Sequence, residues 1–230
     1  APGFGVYSTK NGNSYTGESG SSFSSPQVAG AAALVKSVFP DLSAVQIMEQ
    51  VRVSADDIYS IDANSTYEGL LGKGRLNVFE AVSRDDLKSI RINDFSHSNS
   101  FGNYAFYDDT VTVTIDFFNY LNPTTNAKAT LSSSNPNLSF IDNEIGLGST
   151  NELTKSGFFE TQIIISEEAQ HDERLVIRLD YLDGEHQDFE YLEFEVSPDN
   201  LDFSNPKLSM NISRNGDLVY PTNNLAKSDG

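Results

Sequence analysis

The chain of 230 residues carries a net charge of −18, with 38% hydrophobic and 11% aromatic residues, enough apolar content for one or two globular domains. That charge opposes nucleic-acid binding, where phosphate repulsion dominates. No run approaches the roughly 20 apolar residues of a membrane span, and the lack of cysteine removes disulfides, zinc–thiolate sites and a cysteine nucleophile.

No basic and apolar signal peptide opens the chain; it starts at Ala1-Pro2-Gly3 without a methionine, as expected of a processed or truncated segment. Phe4-Gly5-Val6-Tyr7 reads as a strand end, followed by a loop to residue 16. The run Gly20-Ser21-Ser22-Phe23-Ser24-Ser25-Pro26 then sets a serine on a tight glycine turn. Gln27-Val28-Ala29-Gly30-Ala31-Ala32-Ala33-Leu34-Val35 continues it as a small-residue helix, predicted over residues 24–38. Pro26 falls in the first turn of that helix, where a missing N–H costs nothing. The alanine and glycine content lets neighbours pack close to the backbone and predicts a helix inside a domain.

Phe39-Pro40-Asp41 stops the first helix. Ser43-Ala44-Val45-Gln46 reads as a capping box, and Val45, Ile47, Met48 and Val51 as the buried stripe of a second helix. A polar loop over residues 54–67 leads to the glycine-rich turn Gly72-Lys73-Gly74-Arg75-Leu76-Asn77. Asn77 suits the N-cap of a third helix over residues 78–82.

The pattern changes after Lys88. Thr110-Val111-Thr112-Val113-Thr114-Ile115-Asp116-Phe117 alternates with period two, as a half-buried strand does. Further strands are predicted over 90–95, 127–132, 158–165, 175–181 and 190–196, with turns at Asn122-Pro123 and Asp183-Gly184. Strands at this spacing without a helix signal predict an antiparallel β-sandwich of about a hundred residues, immunoglobulin-like or fibronectin-like, without the disulfide. Charge marks the same boundary. Residues 1–85 carry 6 basic against 9 acidic side chains, residues 86–230 carry 9 against 24, and the step from −3 to −15 falls near Arg84-Asp85-Asp86. The last stretch, 199–230, has one weak strand signal and reads as a linker or the start of a further module.

The serine turn carries the chemistry. A helix N-terminus beside Ser22 offers unpaired N–H groups and a positive dipole end, where a developing oxyanion is stabilised. On this stretch alone a serine-rich loop capping a buried helix accounts for the pattern equally well. Competing motifs fail: neither Gly20-Ser21-Ser22-Phe23-Ser24 nor Gly17-Glu18-Ser19-Gly20-Ser21 has the closing glycine of a nucleophile elbow. Gly3-Phe4-Gly5 lacks the third glycine of a dinucleotide loop, and Gly72-Lys73 has no partner glycine at P-loop spacing. Asp62-Ala63-Asn64-Ser65-Thr66 begins like a calcium loop, but Tyr67 stands where a glycine is needed, so it reads as a surface turn. No metal ligands and no cofactor site are identified.

Residues 20–35 resemble the serine motif of the subtilases, Gly-Thr-Ser-Met-Ala-x-Pro with a small-residue helix behind it. Gly20, Ser22 and Pro26 match, while Ser21, Phe23 and Ser24 replace Thr, Met and Ala. Ala1-Pro2-Gly3 with Ser8-Thr9, Pro40-Asp41-Leu42-Ser43 with Gln46-Ile47, and Gly72 to Asn77 with Ala81-Val82 are similar to the family's flanking segments in order and spacing. The resemblance implies that residues 1–84 are the C-terminal part of a subtilisin-like α/β catalytic domain, mostly helical here, followed by an all-β accessory domain over 85–198. It implies Ser22 as nucleophile, its backbone N–H as an oxyanion donor, and a Ser21 hydroxyl that assists.

The family's triad runs Asp, His, Ser in chain order, so the Asp, the His and the oxyanion-hole Asn are expected upstream of Ala1. His97, His171 and His186 all follow Ser22 and read as solvated surface histidines. The implied function is a secreted or cell-surface bacterial serine endopeptidase acting on protein or peptide substrates through an acyl-enzyme, with calcium admissible in the full-length protein. This stretch alone is expected to be inactive, and residues 1–84 less stable than the β-sandwich. The alternative is a non-catalytic binding or structural protein on a degenerate peptidase scaffold. Oligomeric state is not indicated.

Overall fold

The structure is a computed structural model that describes residues 1–67, 69–197, 200–205, 208–213 and 218–219, with side chains described up to Ser197. The chain opens with an antiparallel hairpin, β1 (Val6–Lys10) and β2 (Ser14–Glu18), turning through Asn11, Gly12 and Asn13. Gly12 at φ 82° and Asn13 at φ 54° supply the left-handed backbone that this turn needs. The sequence reading had a strand end and a loop here; the second strand is short, polar and exposed, so it leaves no apolar alternation to read.

Three helices follow. Helix α1 spans Ser21–Val38, three residues longer at its start than expected, because Gly20 takes the N-cap position. Helix α2 is Ala44–Val53, entered through the Ser43/Gln46 capping box, and α3 is Val78–Ser83, with the Asn77 side chain accepting the Glu80 amide at 3.0 Å. Asp62–Tyr67 forms an exposed 3₁₀ turn. Ala31, Val35, Val51 and Ala81 make the small buried core that these helices share.

Two expectations for the helices are corrected. Helix α1 is not an interior rod: it buries only Ala31 and Val35, and Val28, Leu34 and Val38 are exposed, because α1 packs on α2 and α3 and its opposite face stays open. The apolar stripe of α2 faces inward only in part: Val51 is buried and Ile47 packs against the helix core, while Val45 and Met48 turn outward. Val45 is 46% and Met48 66% exposed, and the buried positions are Gln46, Glu49, Gln50 and Val51. That inversion is possible because the polar face finds partners: Gln50 donates to the Ala81 and Arg84 carbonyls, and Glu49 and Arg52 enter ion pairs with the β-rich region.

The β-rich region contains β3 (Ile90–Ser98), β4 (Asp109–Asn119), β5 (Ala127–Ser132), β6 (Leu138–Phe140), β7 (Glu144–Gly148), β8 (Thr154–Ile165), β9 (Arg174–Asp183) and β10 (His186–Glu195). They form two four-stranded antiparallel sheets, ordered β3-β4-β8-β6 and β10-β9-β5-β7. Inward residues of both sheets make one core, among them Val113, Phe117, Leu131, Ile163, Ile177 and Leu179. The Phe117 ring of β4 meets the Tyr181 ring of β9 edge-on at 6.0 Å. Period-two alternation produces this directly: along β4, Val111, Val113, Ile115 and Phe117 are fully buried while Thr110, Thr112 and Thr114 point away. Strands β6 and β7 were not expected; β6 is three residues long, and β7 carries Gly146 and Gly148.

Strands β11 (Asn200–Asn205), β12 (Leu208–Ser213) and β13 (Leu218–Val219) form a further three-stranded antiparallel sheet. The expectation of a linker or new module over 199–230 otherwise lies outside the described residues.

Candidate active site around Ser22

Ser22 is the second residue of α1 and is exposed. Gly20 sets the geometry in front of it. Its φ of 145° and ψ of 160° suit only glycine, although an added Cβ would meet nothing within 4 Å. The constraint at this position is conformational, not spatial. The Gly20 carbonyl accepts the Phe23 amide at 3.1 Å, closing the first turn.

The helix end is electrostatically bare. No side chain caps it, and no acidic residue lies in its first turn. The first amides of a helix have no acceptor four residues back, so the N–H groups of Ser21 and Ser22 stand at the positive end of the dipole. Pro26 lies inside the helix, beyond its expected place in the first turn, and has no N–H to give the Ser22 carbonyl. The backbone around Ser22 is thereby loosened from the helical ladder on its carbonyl side and open to an incoming anion on its amide side. Ser21 is also exposed in this turn, next to the same amides.

The start of the chain holds the turn in place. Gly20 donates its amide to the Gly3 carbonyl at 2.7 Å. The Pro2 carbonyl accepts both the Ser24 hydroxyl at 3.1 Å and the Gln27 side-chain amide at 2.9 Å. Gln27 also donates to the Phe23 carbonyl at 2.8 Å. Gly3 must be small here, since a Cβ on it would lie 2.7 Å from the Ser24 Oγ and 3.3 Å from the Gly20 oxygen. Sequence reasoning did not single out Pro2, Ser24 or Gln27. Their signal was only that a polar residue occurs one turn after Phe23 in an otherwise small and apolar helix.

The structure brings no histidine to Ser22. His171 is exposed and meets Tyr107 edge-on. His97 and His186 are half-buried, not fully solvated as expected. His97 stacks on Phe194 at 5.2 Å, and burial holds its pKa below the ordinary 6.5. His186 lines a cleft of about 620 Å³ near Lys88 and Asp183. Its Nε2 is buried without a partner among the described residues, and burial again lowers its pKa. Both rings sit where the ends of strands cover them, a tertiary effect with no local signature. Among the described residues no group of three or more His, Asp or Glu is placed to hold a metal ion.

With this geometry in view, the comparison with known proteins is direct: residues 1–103 match the model of the subtilase family. The N-terminal part of this chain is thus similar to the subtilase family. The subtilase segment is 45% identical over 82 residues to subtilisin DY of Bacillus licheniformis, covering 36% of this chain and 27% of that protein. It is 42% identical over 84 residues to alkaline elastase YaB of Bacillus sp. (strain YaB), covering 36% and 20%. It is 40% identical over 84 residues to subtilisin Savinase of Lederbergia lenta, covering 36% and 28%. The chain thus spans about a quarter of the length of these relatives. The match to the subtilase family model continues through β3.

Proposed function

We propose that this chain is the C-terminal portion of a subtilisin-like serine endopeptidase in which Ser22 is the nucleophile. The observation that carries the reading is an exposed serine at the uncapped N-terminus of a helix, inside subtilase sequence. In this reading Ser22 Oγ attacks the scissile carbonyl and an upstream His takes the hydroxyl proton. An upstream Asp orients that His. The Ser22 N–H, assisted by the Ser21 hydroxyl, stabilises the oxyanion before the amine leaves and water releases the acyl group. The open apolar residues Val28 and Leu34 of α1 and Met48 of α2 support a catalytic fold completed by upstream sheet.

The strand order supports an immunoglobulin- or fibronectin-like accessory domain: β3, β4, β8 and β6 take one sheet and β5, β7, β9 and β10 the other. Similarity to bacterial subtilisins supports an exported bacterial protein with protein or peptide substrates. No helix among the described residues is long and apolar enough to cross a membrane.

The test is labelling of the full-length protein with a fluorophosphonate, with Ser22→Ala as control. Label confined to Ser22 and lost in the variant is the expected result. A folded full-length protein that takes no label at Ser22 overturns the reading in favour of a non-catalytic scaffold.

A further inference from the structure

The polar face of α2 and the sheet edge at β10 are joined by an unbroken run of alternating charges. Lys73 Nζ, in the glycine-rich turn, lies 2.6 Å from Asp188 Oδ1. Asp188 Oδ2 lies 2.6 Å from Arg52 Nη2, and Arg52 Nε lies 2.6 Å from Glu49 Oε2. Glu49 Oε1 lies 3.3 Å from Arg91 Nη1, and Arg91 Nε lies 2.9 Å from Glu190 Oε2. Neutral groups fill the remaining valences. Ser89 donates to Glu49 and accepts from Arg52, Tyr181 donates to Glu190, and the Ile92 amide donates to Glu190 at 2.6 Å.

Four features make this more than surface pairing. The acidic members are buried, Asp188 to 4% and Glu49 and Glu190 to 9% exposure. The run holds three acids and three bases and sums to zero. Its members are drawn from both the helices and turn (Glu49, Arg52, Lys73) and the strands (Arg91, Asp188, Glu190), and three of its links cross between them. An aromatic layer seals one side. Tyr59 packs edge-on against Phe189 at 5.5 Å, and Lys73 and Arg178 lie over the Phe189 ring at 4.2 and 4.4 Å. A buried charge left alone is far more costly than the pair it came from, so neither half is content without the other.

We infer that the β-rich region serves as an intramolecular brace for the end of the subtilase segment, with Asp188 as the residue that locks α2 and the Lys73 turn onto β10. This goes beyond the proposed peptidase activity and stands whether or not Ser22 is a nucleophile. It assigns the Asp188–Glu190 end of the inward face of β10, the face that continues into the core through Leu192 and Phe194, to this contact. It also divides the helices: α2 and the Lys73 turn open together with β10, while the hairpin and α1, which lie outside the charge run, open separately.

Amide hydrogen exchange on the full chain tests it. In the wild type, α2 amides exchange at the rate of β10 and more slowly than those of α1. Asp188→Asn strands Arg52 and Lys73 together and speeds exchange in α2 and the 72–77 turn by on the order of a hundredfold, with β4 and β8 unchanged. Combining Arg52→Met, Lys73→Met and Asp188→Leu removes the stranded charges and returns most of the protection. Should Asp188→Asn not fold, Lys73→Met, which removes one of the two partners, gives the same regional pattern at smaller amplitude. Wild-type α2 exchanging as fast as α1, a speed-up spread equally over β4 and β8, or a triple variant as unprotected as Asp188→Asn each overturns the inference.

Discussion

Gln27 donates its side-chain amide to the Pro2 carbonyl at 2.9 Å, tying the turn that follows Ser22 to a segment twenty-five residues earlier in the chain. The same amide reaches Phe23, so one side chain spans the two walls of the turn at Ser22. Each such bond contributes about 1 kcal/mol net. Gln27→Leu in the full-length protein is expected to slow fluorophosphonate labelling of Ser22 roughly tenfold, through the turn's geometry and not through substrate binding. Gly3→Ala should do the same, because its Cβ forces the Ser24 hydroxyl off Pro2. Labelling at the wild-type rate in both variants would show that the latch does not position Ser22.

Phe23 stands where the resembling motif has an oxidisable methionine, directly after Ser22 and half-buried. The full-length enzyme is expected to keep most of its activity under peroxide exposure that inactivates a Phe23→Met variant, since only a thioether there can become a sulfoxide. Equal loss in both proteins would place the sensitive group elsewhere.

Asp183 gives the β-rich region an acid limit. Burial pushes its pKa up, but the Lys88 ammonium, the Asn126 and Thr125 amides and the Thr125 hydroxyl outweigh burial and bring it to about 2, below the ordinary 3.8. A carboxylate depressed on folding stabilises fully above its unfolded value and loses that contribution as pH falls through the folded one. The Asp183 contribution to the denaturant midpoint of the full chain should therefore hold above about pH 4 and be lost between pH 4 and 2. Asp183→Asn should start lower and fall less steeply over that window.

His97 and His186 act in a higher window with the same sign. Burial depresses both below 6.5, so the unfolded chain binds more protons as pH falls below that value. Stability should decline from pH 6.5 downward. His97→Gln and His186→Gln should each flatten part of that decline in chemical denaturation. Identical slopes in wild type and double variant would remove the histidines from the account.

What could be read from the residues themselves followed the range of the interactions. The β4 strand was legible because its valines and isoleucine alternate with threonines, and α2 and α3 announced their starts through Ser43, Gln46 and Asn77, whose partners lie three residues away. The candidate nucleophile was legible through local spacing from Gly20 to Pro26. The inward face of α2 was not, because Arg52 pairs with Asp188, 136 residues later, and Val45 and Met48 carry the stronger local pattern. The extra residues at the start of α1 and the Gln27 latch escaped for a related reason. Each depends on the path of residues 1–20 against the helix, which no periodicity records.

The joint at Asp188 also sets how this protein meets brine. Exposed charges feel dissolved ions within about 10 Å at 0.1 M salt, while a largely buried, balanced row of them is screened less. The acidic exterior of residues 86–230 is thus the part that added electrolyte calms, and the union of the two regions holds from dilute buffer to strong saline.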